Sequence, residues 1–305
     1  MDAKFIRKGV ARFLGWLGFE IYSLIIHCIP AKYLYGFAGI IAKLGYCIAR
    51  KQRQIALESL SIAFGKEKSA QELKQIARDC FTFMAKAGTE LIFLMDRPNL
   101  LDKRVTMIGL ERLKEALGWG KGVILVSAHF GNFPLLMAKL SLSGYKIGGI
   151  MRPMRDSRME KIFLQKRMRL NIKTIYSQPR NNCIYSTIEA LRNNEIVFIP
   201  IDQNFGTGGV FVNFFGRKAA TATGPVVLAR RTQAALIPCF ILRQPDDTHK
   251  IIFEPALDIA TGKNNEETVL INIQRLTNII EAYIRKYPAE WGWIHRRWKS
   301  QPSVQ

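Results

Sequence analysis

An α/β fold, a largely parallel sheet flanked by helices behind an N-terminal helical region, is what this sequence predicts. Two observations carry it. Short continuous apolar runs recur between residues 105 and 257, most of them followed by a stretch of helical periodicity; runs such as GVILVSA (122–128) suit strands buried on both faces, the condition of a parallel sheet. The first hundred residues instead return apolar side chains at three- and four-residue steps, the period of a helix.

Taken in order, 13–30 (FLGWLGFEIYSLIIHCIP) is apolar and aromatic and near bilayer-spanning length, roughly 17–25 residues. Glu20 interrupts it, which leaves a soluble amphipathic core helix as the other reading. Lys4, Arg7, Lys8 and Arg12 precede it, Lys32, Arg50, Lys51 and Arg53 follow, and no A-x-A-like cleavage site appears. These flanks favour a membrane-associated helix over 1–30, lying in or dipping into the cytoplasmic face. A single domain then spans 31–305, with a helical layer over 31–100 and an α/β core over 101–305. In the layer, 31–64 reads as helix stopped by Gly65, and Ser69 with Glu72 forms a capping box opening a helix over 69–95. In the core, strands are expected at 105–110, 122–128, 145–151, 172–176, 195–202, 235–242 and 250–257. Helices are expected at 111–119, 134–144, 158–170, 186–194, 224–232 and 267–288.

The charge is unusual. Lys and Arg number 45 against 24 Asp and Glu, a net +21, so anionic partners are expected: membrane surface, nucleic acid, acidic protein or phosphorylated ligands. The five scattered cysteines include no C-x-x-C pair, which argues against a disulfide framework or zinc site and for reduced packing thiols. Four dispersed histidines make no metal cluster. No metal or redox cofactor is called for.

Ligands of such sheets sit at the carboxyl ends of strands. His129 follows one predicted strand and Asp202 ends another. Gly131-Asn132 offers a tight turn with amides that can face a ligand, and Pro134 suits the first turn of the next helix. The segment 199–231 joins Asp202-Gln203 to a glycine-rich loop, an apolar run (Phe211, Phe214, Phe215) and Arg217; it reads as an apolar wall with a basic rim, suited to a lipid with an anionic head. WGWIHRRWKS (291–300) interleaves tryptophan with cations and reads as a membrane-interface, phosphate-contacting or nucleotide-stacking face.

These stretches, with QIALESLSIAFG (54–65), MRPM (151–154) and RKYPAEWGWIHRRWK (285–299), resemble the bacterial lipid A biosynthesis acyltransferases of the lauroyl/myristoyl type, within the lysophospholipid acyltransferase group. The resemblance runs over nearly the whole chain. It implies transfer of a fatty acyl chain from acyl carrier protein to a hydroxyl of a phosphorylated lipid A precursor, at the cytoplasmic face of the cell inner membrane, with no cofactor and no nucleic acid. The family signature is His, four residues, then Asp or Glu. The histidine maps to His129, but the acid position holds Pro134. Asp202 is the expected replacement, orienting His129 from the neighbouring strand end. Arg152 and Arg167 match basic residues of the family, and either serves to bind a phosphorylated sugar or an oxyanion. Asn132, Gln203 and Arg217 complete the expected substrate-binding set, and Glu160 is taken as a surface acid. The reading from another class is a non-catalytic lipid- or nucleic-acid-binding homologue that lost the dyad.

Overall fold

The computed structural model describes residues 3–302, without the side chains of residues 3–6, 8 and 207, so Lys4 and Lys8 of the expected basic flank lie outside the described side chains. Five helices come first: α1 (Ala3–Cys28), α2 (Leu34–Ile48), α3 (Arg50–Phe64), α4 (Ala70–Phe93) and α5 (Pro98–Arg104). The expected 31–64 helix is thus broken, at Ala49 (ψ 58°), where Arg53 Nη1 donates to the Tyr46 carbonyl. The capping box forms as read, Ser69 N donating to Glu72 Oε2 (2.7 Å) and Glu72 N to Ser69 Oγ (3.3 Å).

The core continues with β1 (Val105–Ile108), α6 (Leu110–Gly118), β2 (Val123–Ser127), α7 (Phe133–Leu142), β3 (Ile147–Met151), α8 (Ser157–Arg169), β4 (Ile172–Tyr176), α9 (Arg180–Arg192) and β5 (Ile196–Pro200). It closes with β6 (Val210–Phe214), β7 (Arg217–Thr221), α10 (Gly224–Thr232), β8 (Ala235–Arg243), β9 (His249–Phe253) and α11 (Asn265–Lys286). Among the described residues, seven strands form one sheet in the order β1-β9-β8-β2-β5-β3-β4. Every pairing is parallel except β8 with β9, so the sheet is mostly parallel. The central strands alternate between two apolar layers. Leu236, Phe240 and Leu242 of β8 join one with Val226 of α10 and Ile273 of α11, while Ile237, Cys239 and Ile241 join the other with Leu113 of α6 and Leu135 of α7. Burial on both faces is why these strands read as unbroken apolar runs.

The 199–231 segment differs from expectation. Instead of a loop it carries the antiparallel hairpin β6–β7, turned through Phe215 (φ 53°) and Gly216 (φ 72°). Two consecutive left-handed residues match the twist of a tight hairpin, but phenylalanine is not the residue that announces such a turn. Its place is fixed by tertiary contact, Phe215 N donating to Glu281 Oε2 at 2.6 Å.

The helical layer is tied to the sheet by a buried charge. Glu90 of α4, fully buried, accepts from Arg243 Nη1 (2.8 Å) and Nη2 (2.6 Å), Tyr35 Oη (2.8 Å) and Asn132 Nδ2 (2.9 Å), with His249 Nε2 at 3.1 Å. Taking one member away strands the others in low dielectric. Glu90→Ala is therefore expected to destabilise the fold by about 3 kcal/mol or more. Urea denaturation of the two proteins checks this, and wild-type stability in the variant would contradict it.

Candidate active site

The register of β2 and β5 builds the site. Ser127 pairs with Pro200 in parallel, and Ile201 N donates to the Ser127 carbonyl at 3.1 Å, extending the ladder. Positions 129 and 202, each two residues beyond that last pair, therefore stand side by side. His129 Nδ1 lies 2.8 Å from Asp202 Oδ1. The aspartate side chain is 1 % exposed and the histidine side chain 29 %, so the carboxylate is inside and the ring reaches solvent. An ionised carboxylate only accepts, which places the proton on Nδ1 and leaves Nε2 with a free lone pair.

A third side chain completes the arrangement. Trp291 Nε1 donates to Asp202 Oδ2 at 2.7 Å, between fully buried groups. Burial by itself raises the Asp202 pKa, but the charge and hydrogen bond of His129 and the indole N–H outweigh it and hold it below the ordinary carboxylate range. Burial by itself lowers His129; the Asp202 charge and hydrogen bond overcome this, so the net shift is upward. His295 stands with its ring centroid 5.9 Å from that of His129, and its Nε2 is 3.3 Å from Gln203 Nε2. Burial, and then the positive charge of His129, push His295 down toward the neutral form.

The C-terminal segment that supplies Trp291 and His295 is only in part the exposed aromatic-basic face expected of it: His295, Arg296 and Lys299 are exposed, but the aromatic side chains are not. Trp291, Trp293, Arg297 and Trp298 are buried, because 291 pairs with Phe130 in an antiparallel bridge and Gly131 N donates to the Glu290 carbonyl (2.9 Å). Arg297 is committed to the backbone, donating to the carbonyls of Gln203 and Ala220 and to Thr221 Oγ1; burial pulls its pKa down to about 10. Phe214 and Phe215 pack on these tryptophans, so they are core rather than a ligand wall, and only Phe211 is half exposed. Only two of the five thiols, Cys80 and Cys239, are buried, and all five are unpaired.

Other expected residues divide. Gln203 lies at the site, exposed beside His295. Arg152 is exposed immediately past the carboxyl end of β3, next to β5, and makes no hydrogen bond among the described residues. Asn132 is buried, its amide donating to the Ala87 carbonyl (3.1 Å) and Glu90, so it anchors the turn instead of facing a ligand. The Gly131 amide is likewise taken by Glu290. Gly131 has φ 61°, and a Cβ there would lie 1.9 Å from the Ile241 carbonyl oxygen, so the tight turn needs glycine. Arg167 is held by Glu160 Oε1 (2.8 Å) and Thr174 Oγ1 (2.9 Å). Glu160, half buried, also accepts from Met154 N and Tyr176 Oη, so it is an internal tie and not a free surface acid. Arg217 is exposed at the turn end of the hairpin, whereas the end near Asp202 is Thr221 and Ala220, where Phe205 N donates. Pro134 lies in the first turn of α7, as expected of it.

A histidine held by a buried carboxylate, with no partner on its second nitrogen among the described residues and at the carboxyl edge of a parallel sheet, is an arrangement able to take up and return a proton. Residues 6–300 match the family described as bacterial lipid A biosynthesis acyltransferase. The chain belongs to that family. It is 27 % identical over 300 residues to the lipid A biosynthesis palmitoleoyltransferase of Escherichia coli (strain K12), covering 95 % of this chain and 92 % of that one. It is 26 % identical over 293 residues to the lipid A biosynthesis lauroyltransferase of the same organism, with the same coverage. A phosphatidylinositol mannoside acyltransferase of Mycolicibacterium smegmatis is 24 % identical over 199 residues, 65 % of this chain and 64 % of that one.

Beside the site, Glu290 is buried, its carboxylate accepting only the Arg243 backbone N–H among the described residues (3.1 and 3.3 Å). Burial and the nearby Glu90 charge raise its pKa to about 7, against the opposing pull of Arg243. Between about 4.5, its ordinary value, and 7, the folded state binds more protons than the unfolded chain, so this group makes stability fall as pH rises. Glu290→Gln is expected to be more stable than wild type above pH 7, on the order of 1–3 kcal/mol, with the gap closing toward pH 4.5. Thermal melts across that range check it; parallel pH profiles would contradict it.

Proposed function

We propose that the protein is a membrane-associated O-acyltransferase that moves a fatty acyl chain from acyl carrier protein to a hydroxyl, or a hydroxyacyl chain, of a lipid A precursor or related phosphorylated glycolipid. The observation that carries this is the 2.8 Å contact between His129 Nδ1 and Asp202 Oδ1. A carboxylate within hydrogen-bond reach supports a working general base over a homologue that kept only the fold. In this reading His129 Nε2 takes the acceptor hydroxyl proton as the oxygen attacks the thioester carbonyl carbon. The tetrahedral oxyanion collapses, the C–S bond breaks, and the departing thiolate takes the proton back from the imidazolium. Products are the new ester and free carrier thiol. Asp202 holds the ring and balances the imidazolium charge; Arg152 and Gln203 lie at the same edge to meet the anionic acceptor.

Residues 1–30 are the proposed membrane segment and 31–305 the acyltransferase domain, acting at the cytoplasmic face of the cell inner membrane. Gly9–Cys28 is long and apolar enough to cross a bilayer, and little of it is buried against the rest of the protein. Phe13, Leu14, Leu17, Ile21 and Leu24 are exposed, while the other side docks through Tyr22 Oη on Thr89 Oγ1 (2.6 Å) and Phe19 on Phe163. Deleting residues 1–30 is expected to move much of the protein from the membrane to the soluble fraction; identical partitioning would contradict the anchor.

Incubation with acyl carrier proteins of varied chain length and a lipid A precursor, read by mass spectrometry, tests the activity. His129→Ala is expected to lower transfer about 10²–10⁴-fold. Asp202→Asn should lose less, yet clearly more than Glu115→Gln, an exposed acid on α6. Because the Asp202 charge raises His129, the acid limb of kcat/KM should lie above the ordinary histidine value of about 6.5. Full activity of His129→Ala would end the proposal.

A further inference from the structure

We infer that Trp291 is a positioning residue for the reaction: its indole N–H fixes the Asp202 carboxylate so that the other oxygen is presented to His129 Nδ1. This rests on the catalytic reading of His129 and Asp202. Each carboxylate oxygen has one side-chain partner, His129 on Oδ1 (2.8 Å) and Trp291 on Oδ2 (2.7 Å). Without the second, a carboxylate that is almost fully buried would lose the side-chain donor on one oxygen and be less restrained about its last torsion.

The indole is itself held in direction. It packs edge-on against Trp293 (4.6 Å, 88°) and Phe214 (5.6 Å, 72°). Its backbone is pinned by the bridge to Phe130 and by Cys80 Sγ, which lies 3.2 Å from the Trp291 carbonyl oxygen. Indole donates and cannot accept, so Oδ2 must act as the acceptor, which disfavours a proton on that oxygen. Arg297 secures the same loop from the other side by donating to the carbonyl of Gln203, the residue after Asp202. The buried C-terminal segment thereby acts as the back wall of the dyad.

The experiment compares Trp291→Phe, Asp202→Asn and the double variant in acyl transfer. Phenylalanine keeps an aromatic ring in the core and removes the donor. Trp291→Phe is expected to lower kcat about tenfold with KM unchanged, the scale of one hydrogen bond to a charged group. It should also move the acid limb to higher pH, because the carboxylate then shares its charge with His129 alone. In the Asp202→Asn background the same substitution should change kcat less than about threefold, since both act through one group. Equal losses in both backgrounds would show a packing effect and overturn the inference, as would an unmoved limb. Full activity of Asp202→Asn would instead overturn the catalytic reading. If Trp291→Phe does not fold, the Trp291 indole N–H resonance of wild-type protein should move upfield in Asp202→Asn, and an unmoved resonance overturns the inference.

Discussion

Asp202 is a charge placed inside the protein, and the surrounding structure is arranged so that it can remain one. A carboxylate removed from water needs donors on both oxygens or it takes up a proton. Here one donor is the histidine that the carboxylate orients, and the other is an indole from a segment nearly ninety residues away. That segment is in place because it pairs with the turn following β2, and the turn in turn requires Gly131. Sheet register, glycine turn and C-terminal segment thus converge on one buried anion.

The alternation of apolar runs with helical periods made the sheet legible, because burial on both faces leaves a compositional trace in each strand. The two strand ends were legible for the same reason, since polarity resumes where the sheet stops. What the sequence does not carry is which strands are neighbours. That β2 lies beside β5 and not β3, with 127 opposite 200, is a long-range result, and it alone turns His129 and Asp202 into a pair. The hairpin was illegible because Phe215 takes a left-handed conformation held by tertiary contacts, its N–H on Glu281 and its ring against Phe64 and Trp293.

WGWIHRRWKS shows how a local pattern misleads. Interleaved tryptophan and arginine suit a wet interface, yet here each indole N–H finds an internal acceptor: Asp202 for Trp291, the Pro288 carbonyl for Trp293, and the Phe214 carbonyl for Trp298. The signal that was available is that a tryptophan donor seeks an acceptor when buried. Nothing local named the acceptor. Arg167 and Asn132 look in the sequence like free polar groups in the same way, but the fold pairs both internally.

The resemblance leads one to expect an acid at position 134, in the first turn of the helix that begins with Phe133-Pro134. The carboxylate found against the His129 ring is Asp202, two residues past the end of the adjacent strand β5, and it meets Nδ1. The pairing of Asp202 with Nδ1 therefore fixes the place of one proton. Long-range 1H–15N correlation spectra of histidine-labelled protein, recorded above the His129 pKa, read the tautomer directly. The account predicts His129 protonated at Nδ1, with that signature lost or weakened in Asp202→Asn; a neutral ring protonated at Nε2 would contradict it.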